Sequence, residues 1–409
     1  MKLIHTSDWH LGHMLYGRKR TAEYEAFLAW LVRTVERERA EVVLIAGDVF
    51  DTGTPGNRAQ ELYYRFLLDV SGAGCRHVVV VGGNHDSPSF LNAPRDLLRR
   101  LDVHVVGCAT EDPADEVLVL KDPAGRPELV VGAVPYLRDR DLRFAEAGES
   151  VWDKEQKLRE GMAAHYAVVR EIARARRAAP SGELPLVITG HLFTSGGQVA
   201  QDDGVRDLYI GTSLHVGAEL FGSDADYVAL GHLHAPQVVS GRETIRYSGA
   251  PLPMGFSEAG ARRGVVRVAF GEKPVQVAFL EAPVFQELVR VAGDLGEILE
   301  RLATLAAAGS RAWVEVVYEG GEVVGDLHGR VSEAVAGTSL EVLRIQDRRL
   351  AAQAPGAWNA GAALEELDEF EVFGRLLEAG AVPEEQRADL LAAYREIVVT
   401  LRESDVREQ

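Results

Sequence analysis

The sequence predicts an α/β protein in which a mostly apolar sheet is flanked by helices and followed by a smaller α/β domain. Three observations predict this fold class. Six short apolar runs in the first 280 residues, mostly rich in valine, isoleucine and leucine, each end in a polar or glycine-containing turn, which is typical of strands buried on both faces. Helical patterns with one apolar face separate the first three runs. After Pro283, strand-like and helix-like segments alternate again.

The predicted strands and helices of the first part follow in chain order. The six strands are "KLIHTS", "EVVLIAGD", "HVVVVGGNHD", "ELVVGAVPY", "PLVITGHL" and "YVALGHLH". The helix "TAEYEAFLAWLVRTVERERA" places five apolar residues on one face, namely Tyr24, Phe27, Leu28, Leu31 and Val35. The helix "NRAQELYYRFLLDVSGAG" does the same with Leu62, Phe66 and Leu67 and ends at Gly72. A sheet flanked by helices follows from this alternation.

The composition changes near Pro283. The segments "VFQELVRV", "DLGEILERLATLAAAG", "RAWVEVVYEG", "DLHGRVSEAVAG" and "SLEVLRIQDRR" predict strand, helix, strand, helix, strand. Residues 350–362 are rich in Ala, Gly and Pro and predict a linker, and two helical patterns follow it, with Pro383 opening the second. The sequence therefore predicts four segments, which are 1–282, 283–349, 350–362 and 363–409.

Charge and cysteine content limit the class of protein. The net charge of −18 argues against a nucleic-acid binder when taken alone, but the charge is unevenly distributed. From Gly361 to Gln409 there are 13 acidic and 5 basic residues, a net charge of −8. Cys75 and Cys108 form no CxxC pair, which predicts buried free thiols in a reducing cytosol and hence a cytoplasmic protein.

Polar side chains collect at the ends of the predicted strands. The residues are Asp8, His10, Asp48, Asp51, Asn84, His85, Asp86, His191, His232 and His234. Ligand sites in open α/β sheets lie at the carboxyl ends of strands, and residues two apart on an extended segment point to the same side. Imidazole and carboxylate donors without thiolate suit Mn, Fe or Zn. We therefore expect a metal site here, with room for two ions if one carboxylate is shared.

Asp-x-His, Gly-Asp and Gly-His-x-His, each taken alone, are more simply explained as ordinary turns or strand ends, and Gly-Asn-His-Asp alone is about equally well explained as a turn. Their occurrence together, in order and each at a strand end, is what favours a metal site. Five of the twelve histidines belong to them. The other seven are expected to be ordinary, and they are His5, His13, His77, His104, His165, His215 and His328.

The series Asp-x-His, Gly-Asp, Gly-Asn-His-Asp, Gly-His and Gly-His-x-His resembles the calcineurin-like metallophosphoesterase superfamily over about the first 255 residues. The stretches "HTSDWHLG", "IAGDVFDTGTP", "VGGNHDSP" and "ALGHLHAPQ" are similar to those of a bacterial nuclease subunit in that superfamily. The resemblance implies a β-sandwich flanked by helices, a small α/β capping domain for DNA recognition and C-terminal helices.

The resemblance also implies the roles of the site residues. The first metal would be held by Asp8, His10 and His234. The second would be held by Asn84, His191 and His232, and Asp48 would bridge both. His85 would face the scissile phosphate without binding metal, and Asp86 could orient it, whereas the role of Asp51 stays open. The two divalent ions would be Mn²⁺, with Mg²⁺, Fe²⁺ or Zn²⁺ as alternatives.

The implied function is a Mn²⁺-dependent DNA exonuclease and endonuclease that acts with a coiled-coil ATPase and forms a homodimer. Two alternatives stay open at this point, a phosphatase or small-substrate phosphodiesterase on the same fold, and a scaffold that tethers DNA without hydrolysis. Seven arginines of the second domain could meet DNA phosphates or could form a solvated face, and they are Arg290, Arg301, Arg311, Arg330, Arg344, Arg348 and Arg349.

Overall fold

The computed structural model describes residues 1–143, 149–179, 182–194, 216–271, 274–322 and 324–348, together with Arg387, Leu390 and Tyr394. These residues divide into two compact units. The first consists of Met1–Arg290 and Arg311–Val314, and the second of Val291–Ser310 and the described residues from Glu315 onward. Apart from those three residues, the predicted linker and two-helix segment lie outside the described residues. The predicted domain boundaries stay predictions.

The described strands are numbered in chain order. They are β1 (Lys2–Thr6), β2 (Met14–Leu15), β3 (Arg18–Lys19), β4 (Val42–Ala46), β5 (His77–Val81), β6 (Val103–Val106), β7 (Val117–Lys121), β8 (Pro127–Gly132), β9 (Ala178–Ala179), β10 (Gly182–Glu183), β11 (Leu186–His191), β12 (Tyr227–Gly231), β13 (Gln237–Val239), β14 (Arg242–Tyr247), β15 (Gly264–Ala269), β16 (Gln276–Glu281), β17 (Leu288–Gly293), β18 (Trp313–Tyr318) and β19 (Glu341–Asp347).

The described α-helices are likewise numbered in chain order. They are α1 (Thr21–Glu38), α2 (Asn57–Gly72), α3 (Pro88–Asn92), α4 (Arg95–Arg99), α5 (Asp139–Leu142), α6 (Val151–Arg177), α7 (Leu295–Ala307) and α8 (Leu327–Val335). Both helices predicted in the first part, α1 and α2, are confirmed, and the apolar side chains assigned to their inner faces are buried. The 27-residue α6 was not predicted. It begins at a capping box in which Ser150 and Asp153 satisfy each other's backbone N–H.

Two six-stranded mixed sheets form the first unit. The strand order of one is β16-β15-β1-β4-β5-β6, and that of the other is β13-β14-β12-β11-β8-β7. In the first sheet β1, β4, β5 and β6 are parallel, and β15 and β16 add antiparallel strands at one side. In the second sheet β8, β11, β12 and β14 are parallel, with β7 and β13 as antiparallel edges.

The two sheets pack face to face, and helices cover their outer faces. Side chains such as Leu44 and Val79 of the first sheet join Val131, Val187 and Ala229 of the second in one fully buried core. Helices α1 and α2 bury their apolar faces on the other side of the first sheet, and α6 does so on the second. A helix-covered β-sandwich of the calcineurin-like type is the predicted fold class, and it is confirmed.

A three-stranded sheet of order β17-β18-β19 and the helices α7 and α8 follow in the chain. Most of their residues belong to the second unit, and residues 288–290 and 313–314 belong to the first. All five elements lie where the sequence predicts them. The backbone N–H of Trp313 donates to Glu287 and that of Glu319 donates to Gly293, so β17 and β18 are parallel. Asp294 and Glu297 form a capping box at the start of α7, whose Ile298 and Leu302 are buried.

The cysteines follow the prediction only in part. Cys75 is buried and free, whereas Cys108, just after β6, is free but only half-buried.

None of the described helices combines the length and the apolar character needed to cross a bilayer.

Candidate metal centre

The predicted site residues come together at one end of the sandwich. Asp8, Asp48 and Asn84 follow the parallel strands β1, β4 and β5 of the first sheet, whereas His191 ends β11 and His232 follows β12 of the second. The two sheets meet directly here, because the Nδ1 of His191 donates to the main-chain oxygen of Ala46 at 2.9 Å. Carboxyl ends of parallel strands from both sheets therefore converge on one space, as expected for α/β ligand sites.

The loops after β1 and β4 are held together by main-chain hydrogen bonds. The N–H of Asp8 donates to Gly47 and that of His10 donates to Asp48, both at 3.0 Å. Asp8, His10 and Asp48 all have positive φ, between 47° and 53°. Such conformations are uncommon for residues other than glycine, and they concentrate at functional sites. The sequence predicts an extended segment that points Asp8 and His10 to one side, but in the structure left-handed turns do this instead.

One group of ligand atoms comes from Asp8, His10 and His234, which lie within 4.8 Å of one another. All three residues are buried. The imidazole rings of His10 and His234 meet edge to face, with centroids 5.1 Å apart. Both ring nitrogens of His10 lack a hydrogen-bond partner among the described residues. Buried imidazole nitrogens without partners are costly, and a divalent cation would satisfy one of them.

A second group joins Asp8, Asp48 and His191, also within 4.8 Å. The Nε2 of His191 lies 3.2 Å from an oxygen of Asp48 and 3.0 Å from Oδ1 of Asn84. Because Nδ1 of His191 donates to the Ala46 carbonyl, its Nε2 carries the lone pair in the neutral ring. A lone pair that faces two oxygens needs a proton or a cation between them, and this donor set fits a metal ion.

The remaining residues complete these groups. The Nδ1 of His232 lies 3.1 Å from Oδ1 of Asn84, so Asn84 lies between two imidazoles. The carboxylate of Asp48 lies between the two groups, because the same oxygen that approaches His191 is 3.7 Å from Nε2 of His10. The two histidines of Gly-His-x-His thus serve different groups, with His232 beside Asn84 and His234 beside Asp8 and His10.

Burial shapes the electrostatics of the centre. It raises the pKa of Asp8 to about 6 and lowers the pKa of His10 and of His232 to about 3. Burial opposes ionisation of both Asp48 and His191, but their mutual attraction wins, so the pKa of Asp48 falls well below its usual range and that of His191 rises to about 9. With His10 and His232 held neutral by burial, the buried carboxylates of Asp8 and Asp48 form a site that favours cations.

His85 and Asp86 lie beside the centre with separate partners. The Nδ1 of His85 is 2.8 Å from the main-chain oxygen of Asp51. The carboxylate of Asp86 accepts hydrogen bonds from the N–H groups of Gly83, Val49 and Phe50 at 2.9–3.1 Å. None of the described hydrogen bonds of this carboxylate reaches the His85 ring, whose described partner is the main-chain oxygen of Asp51. Asp86 instead fixes the loops that carry Asp48 and His85.

Distance alone does not separate His85 from the ligands. Ligand atoms of His10, Asp51 and His85 also lie within 4.8 Å of one another. A carboxylate oxygen of Asp51 lies 3.1 Å from the Nδ1 of His13. The predicted role of His85 as a residue that does not bind metal therefore stays a prediction.

The sequence analysis did not identify several residues that position the site. The carboxylate of Glu258 lies 3.5 Å from Nδ1 of His234, and Arg263 binds both Glu258 and the main-chain oxygen of His234. The hydroxyl of Ser7 donates to Asp8 and lies 2.7 Å from the hydroxyl of Ser248. Glu258 is 24 residues from His234 and belongs to no motif, so only the fold brings them together.

Close contacts explain why the motifs contain glycine. Gly47 has φ +93°, and a Cβ there would overlap the ring of His191. A Cβ on Gly83 would overlap Asp48. Glycine at both positions lets the loops approach the ligand side chains closely. The Gly-Asp and Gly-Asn-His-Asp motifs therefore encode both the ligands and the space that they need.

Comparison with known proteins agrees with this arrangement. Residues 1–236 match the family described as calcineurin-like phosphoesterase, and residues 284–380 match the Type 5 capsule protein repressor C-terminal domain. The chain is 35% identical over 404 residues to the D subunit of nuclease SbcCD from Escherichia coli, covering 98% of each chain. Proteins of the same name from Rhodobacter capsulatus and Bacillus subtilis are 37% and 36% identical, covering 75% and 66% of this chain and 76% and 66% of theirs.

Proposed function

The chain belongs to the SbcD nuclease family of calcineurin-like phosphoesterases, and from this premise we propose that it is a Mn²⁺-dependent DNA nuclease. It would act as an exonuclease on duplex DNA and as an endonuclease on single strands and hairpins, in the processing of double-strand breaks. The observation that carries the proposal is the pair of buried His/Asp groups, which share Asp8 and have the carboxylate of Asp48 between them. A phosphodiester substrate suits such a site because its charge is opposite to that of two bound cations.

The proposal assigns seven residues to two divalent ions. Asp8, His10 and His234 would hold the first ion. Asn84, His191 and His232 would hold the second, with Asp48 shared. Such ions, when bound, polarise a phosphoryl oxygen and lower the pKa of water. Oxygen and imidazole donors without thiolate are compatible with Mn²⁺, and Mg²⁺, Fe²⁺ and Zn²⁺ are the alternatives.

The residues around the ligands supply orientation and a proton. His85 is half-buried, and its Nδ1 is held by the Asp51 carbonyl, which leaves Nε2 available to a leaving oxygen. As an imidazolium, His85 would donate the proton on Nε2 to the departing deoxyribose oxygen. Asp86 would contribute through the backbone by keeping His85 and Asp48 in register.

The experiment compares Asp48→Ala and His85→Ala with the unaltered chain. Cleavage of linear duplex and plasmid DNA is measured with Mn²⁺, and bound metal is measured on the same samples. Asp48→Ala should abolish hydrolysis and reduce bound metal, because both ions lose a ligand. His85→Ala should keep its metal and lose at least about 100-fold in rate, the usual scale for a general acid. The exposed His328→Ala serves as the control and should change neither quantity.

Two outcomes would redirect the proposal. Loss of metal in His85→Ala would place that residue among the ligands. Rapid hydrolysis of a small chromogenic phosphate ester, with no cleavage of DNA, would favour the alternative of a phosphatase or small-substrate phosphodiesterase.

The proposed partners are DNA, a coiled-coil ATPase of the SbcC type and a second copy of the chain. The relatives are named as one of the subunits of SbcCD, which supports the ATPase. Of the arginines considered for DNA, Arg344 pairs with Glu315 and Arg348 pairs with Glu319, so the exposed Arg301 and Arg330 are better candidates for phosphate contacts. Arg349 lies outside the described residues. Leu68 on α2 and Leu97 on α4 are exposed, which supports the homodimer.

A further inference from the structure

A second cluster of metal-ligating side chains lies at the opposite end of the first sheet. His77 begins β5, His104 lies on β6, and Asp102 directly precedes β6. Their ligand atoms lie within 4.8 Å of one another. The proposed catalytic residues follow the other end of β5, roughly 13 Å away along the strand. This cluster is therefore separate from the site described above, although no sequence motif marks its histidines as special.

The backbone holds the three residues in fixed register. Strands β5 and β6 are parallel, with Val79 opposite His104. The N–H of Val78 donates to the main-chain oxygen of Asp102 at 3.1 Å. His77 and His104 thus project from two paired strands, where positions are better defined than on free loops, and Asp102 projects from the residue that leads into β6.

Hydrogen bonding orients His77 toward the other two residues. Its Nε2 is 2.8 Å from the main-chain oxygen of Lys121, at the end of β7. That nitrogen must carry the proton, because a carbonyl oxygen can only accept. The lone pair of neutral His77 is therefore on Nδ1, which faces Nε2 of His104 at 3.5 Å and a carboxylate oxygen of Asp102 at 4.0 Å. Metal-binding histidines usually donate their second nitrogen to a carbonyl or carboxylate in this way.

The simplest alternative is a hydrogen bond between the two imidazoles. A separation of 3.5 Å is long for an N–H donor, whose usual distance is about 2.9–3.0 Å. It is close to the roughly 3.3 Å that separates two nitrogens on a tetrahedral zinc ion with bonds of about 2.0–2.1 Å. A hydrogen bond between the rings would also leave the carboxylate of Asp102 without a function.

Access also favours a cation. His77 is 8% exposed and His104 is half-buried, whereas the side chain of Asp102 is 66% exposed. The cluster therefore has two ligands within the fold and one at the surface, with a path for an ion to enter.

We propose that His77, Asp102 and His104 form a structural site for a divalent transition metal, with Zn²⁺ as the ion that two imidazoles and one carboxylate suit best. The fourth position would be filled by water. Strand β6 is the edge strand of its sheet, so a metal here would clip that edge to β5. The site would stabilise the fold and would take no part in hydrolysis.

The test measures bound Zn²⁺ per chain by native mass spectrometry after dialysis of the full-length protein against Zn²⁺. His104→Gln should bind one ion fewer than the unaltered chain. Asp102→Asn keeps the shape of this exposed side chain and should weaken the affinity for this ion by at least about tenfold. Loss of even an indirect partner of a metal ligand lowers metal affinity by that much. His328→Gln removes an exposed histidine elsewhere and should bind as many ions as the unaltered chain.

Thermal unfolding provides a second measurement. Added Zn²⁺ should raise the melting temperature of the unaltered chain more than that of Asp102→Asn, because a ligand stabilises only the state that it binds. DNA cleavage at saturating Mn²⁺ should be unchanged in both variants. Equal Zn²⁺ content in the unaltered chain and in folded His104→Gln would overturn the proposal. If His104→Gln does not fold, equal Zn²⁺ affinity in Asp102→Asn would overturn it.

Discussion

Glu258 shows how a single side chain behind the ligands can set their properties. It is buried, lies 3.5 Å from Nδ1 of His234, and binds Arg263 and the N–H of Met254 at 2.7 and 2.8 Å. Its position is therefore fixed by groups other than His234. A carboxylate held this way fixes the orientation of an imidazole and raises its basicity as a ligand.

Glu258→Gln should weaken metal binding while sparing the chemical step. The amide keeps the shape but removes the charge, so the Mn²⁺ concentration needed for half-maximal cleavage should rise by about 10- to 100-fold. The rate at saturating Mn²⁺ should stay within a few fold. Glu243→Gln, an exposed glutamate that pairs with Arg246 on β14, is the matched control. An unchanged Mn²⁺ requirement in folded Glu258→Gln would show that Glu258 serves Arg263 alone.

His5 provides a prediction about stability and pH. Its ring is fully buried, with Nδ1 2.9 Å from the hydroxyl of Tyr227, and burial lowers its pKa from 6.5 to about 3. The unfolded chain binds a proton near pH 6.5 and the folded chain does not until about pH 3. The stabilising contribution is therefore complete above pH 6.5 and is lost as the pH falls. Loss of this contribution should lower the free energy of unfolding by about 2 kcal/mol when the pH falls from 7 to 5.

His5→Gln should remove this part of the pH dependence. The loss of unfolding free energy between pH 7 and 5 should be smaller by about 2 kcal/mol in the variant. Urea titrations followed by tryptophan fluorescence measure this, because Trp9 and Trp30 are buried in the first unit. His328→Gln should keep the full pH dependence. The same pH dependence in His5→Gln would mean that His5 can ionise inside the fold.

The residues of the site could be predicted where they belong to a sequence motif, and not elsewhere. Asp8, His10 and Asp48 stand at strand ends in recognisable patterns, and the structure brings them together. Glu258 stands in no pattern, and Ser7 was not identified although it lies within the stretch "HTSDWHLG". A positioning residue needs only to arrive at the right place in the fold. The role of Asp86 in orienting His85 stays a prediction. The hydrogen bonds that the structure describes for its carboxylate come from the backbone N–H groups of Gly83, Val49 and Phe50.

At the scale of elements, periodicity identified the buried strands and helices but not the edges. The runs that became β1, β4, β5, β8, β11 and β12 are nearly continuous apolar stretches, so they were evident. Strand β16 was not predicted because an antiparallel edge is only half-buried and its pattern is less clear. Strand β15, which lies between β16 and β1 and is mostly buried, was not predicted either, and neither was the helix α6. The division into two facing sheets depends on long-range pairing, such as β1 with β15, which local sequence does not encode.

Helices α2 and α4 bear on the proposed homodimer. In the structure Leu62, Phe66 and Leu98 are buried, whereas Leu68 and Leu97 are 60% and 69% exposed. Each helix therefore has an apolar residue outside the core as well as a buried face. Large exposed apolar side chains of this kind are typical of interfaces when they lie together.

Leu97→Glu, alone or with Leu68→Glu, should weaken dimerisation by at least about tenfold, because a charge would be buried without a partner. Sedimentation equilibrium at micromolar concentration measures this. Val168→Glu on α6 changes an equally apolar exposed residue on another helix and should leave the dimer intact. A monomeric wild-type chain, or a dimer unaffected by Leu97→Glu, would show that these leucines serve another purpose.

At the scale of the whole molecule, the catalytic part and the proposed partner-binding part are separate in sequence. The candidate site lies entirely within the first unit. The C-terminal segment carries apolar residues at three- and four-residue spacing in two runs, which are Leu364, Leu367, Phe370, Phe373, Leu376 and Leu377, followed by Leu390, Leu391, Tyr394, Val398 and Leu401. This spacing predicts two amphipathic helices, and such a pair would bury too little apolar surface to be stable alone, so we expect it to dock on another surface.

The chain shortened to residues 1–354 should keep Mn²⁺-dependent DNA cleavage but lose its stimulation by ATP and the SbcC-type partner. The physical reason is that apolar faces bordered by acidic residues suit a groove on a coiled coil that carries basic residues. Cleavage is measured with and without the partner and ATP. A chain ending at Leu401 keeps both apolar runs and should respond to ATP fully. Loss of basal cleavage together with loss of folding in the 1–354 chain would show that the segment packs on this chain's own body. Stimulation retained by that chain would place the partner's contact elsewhere.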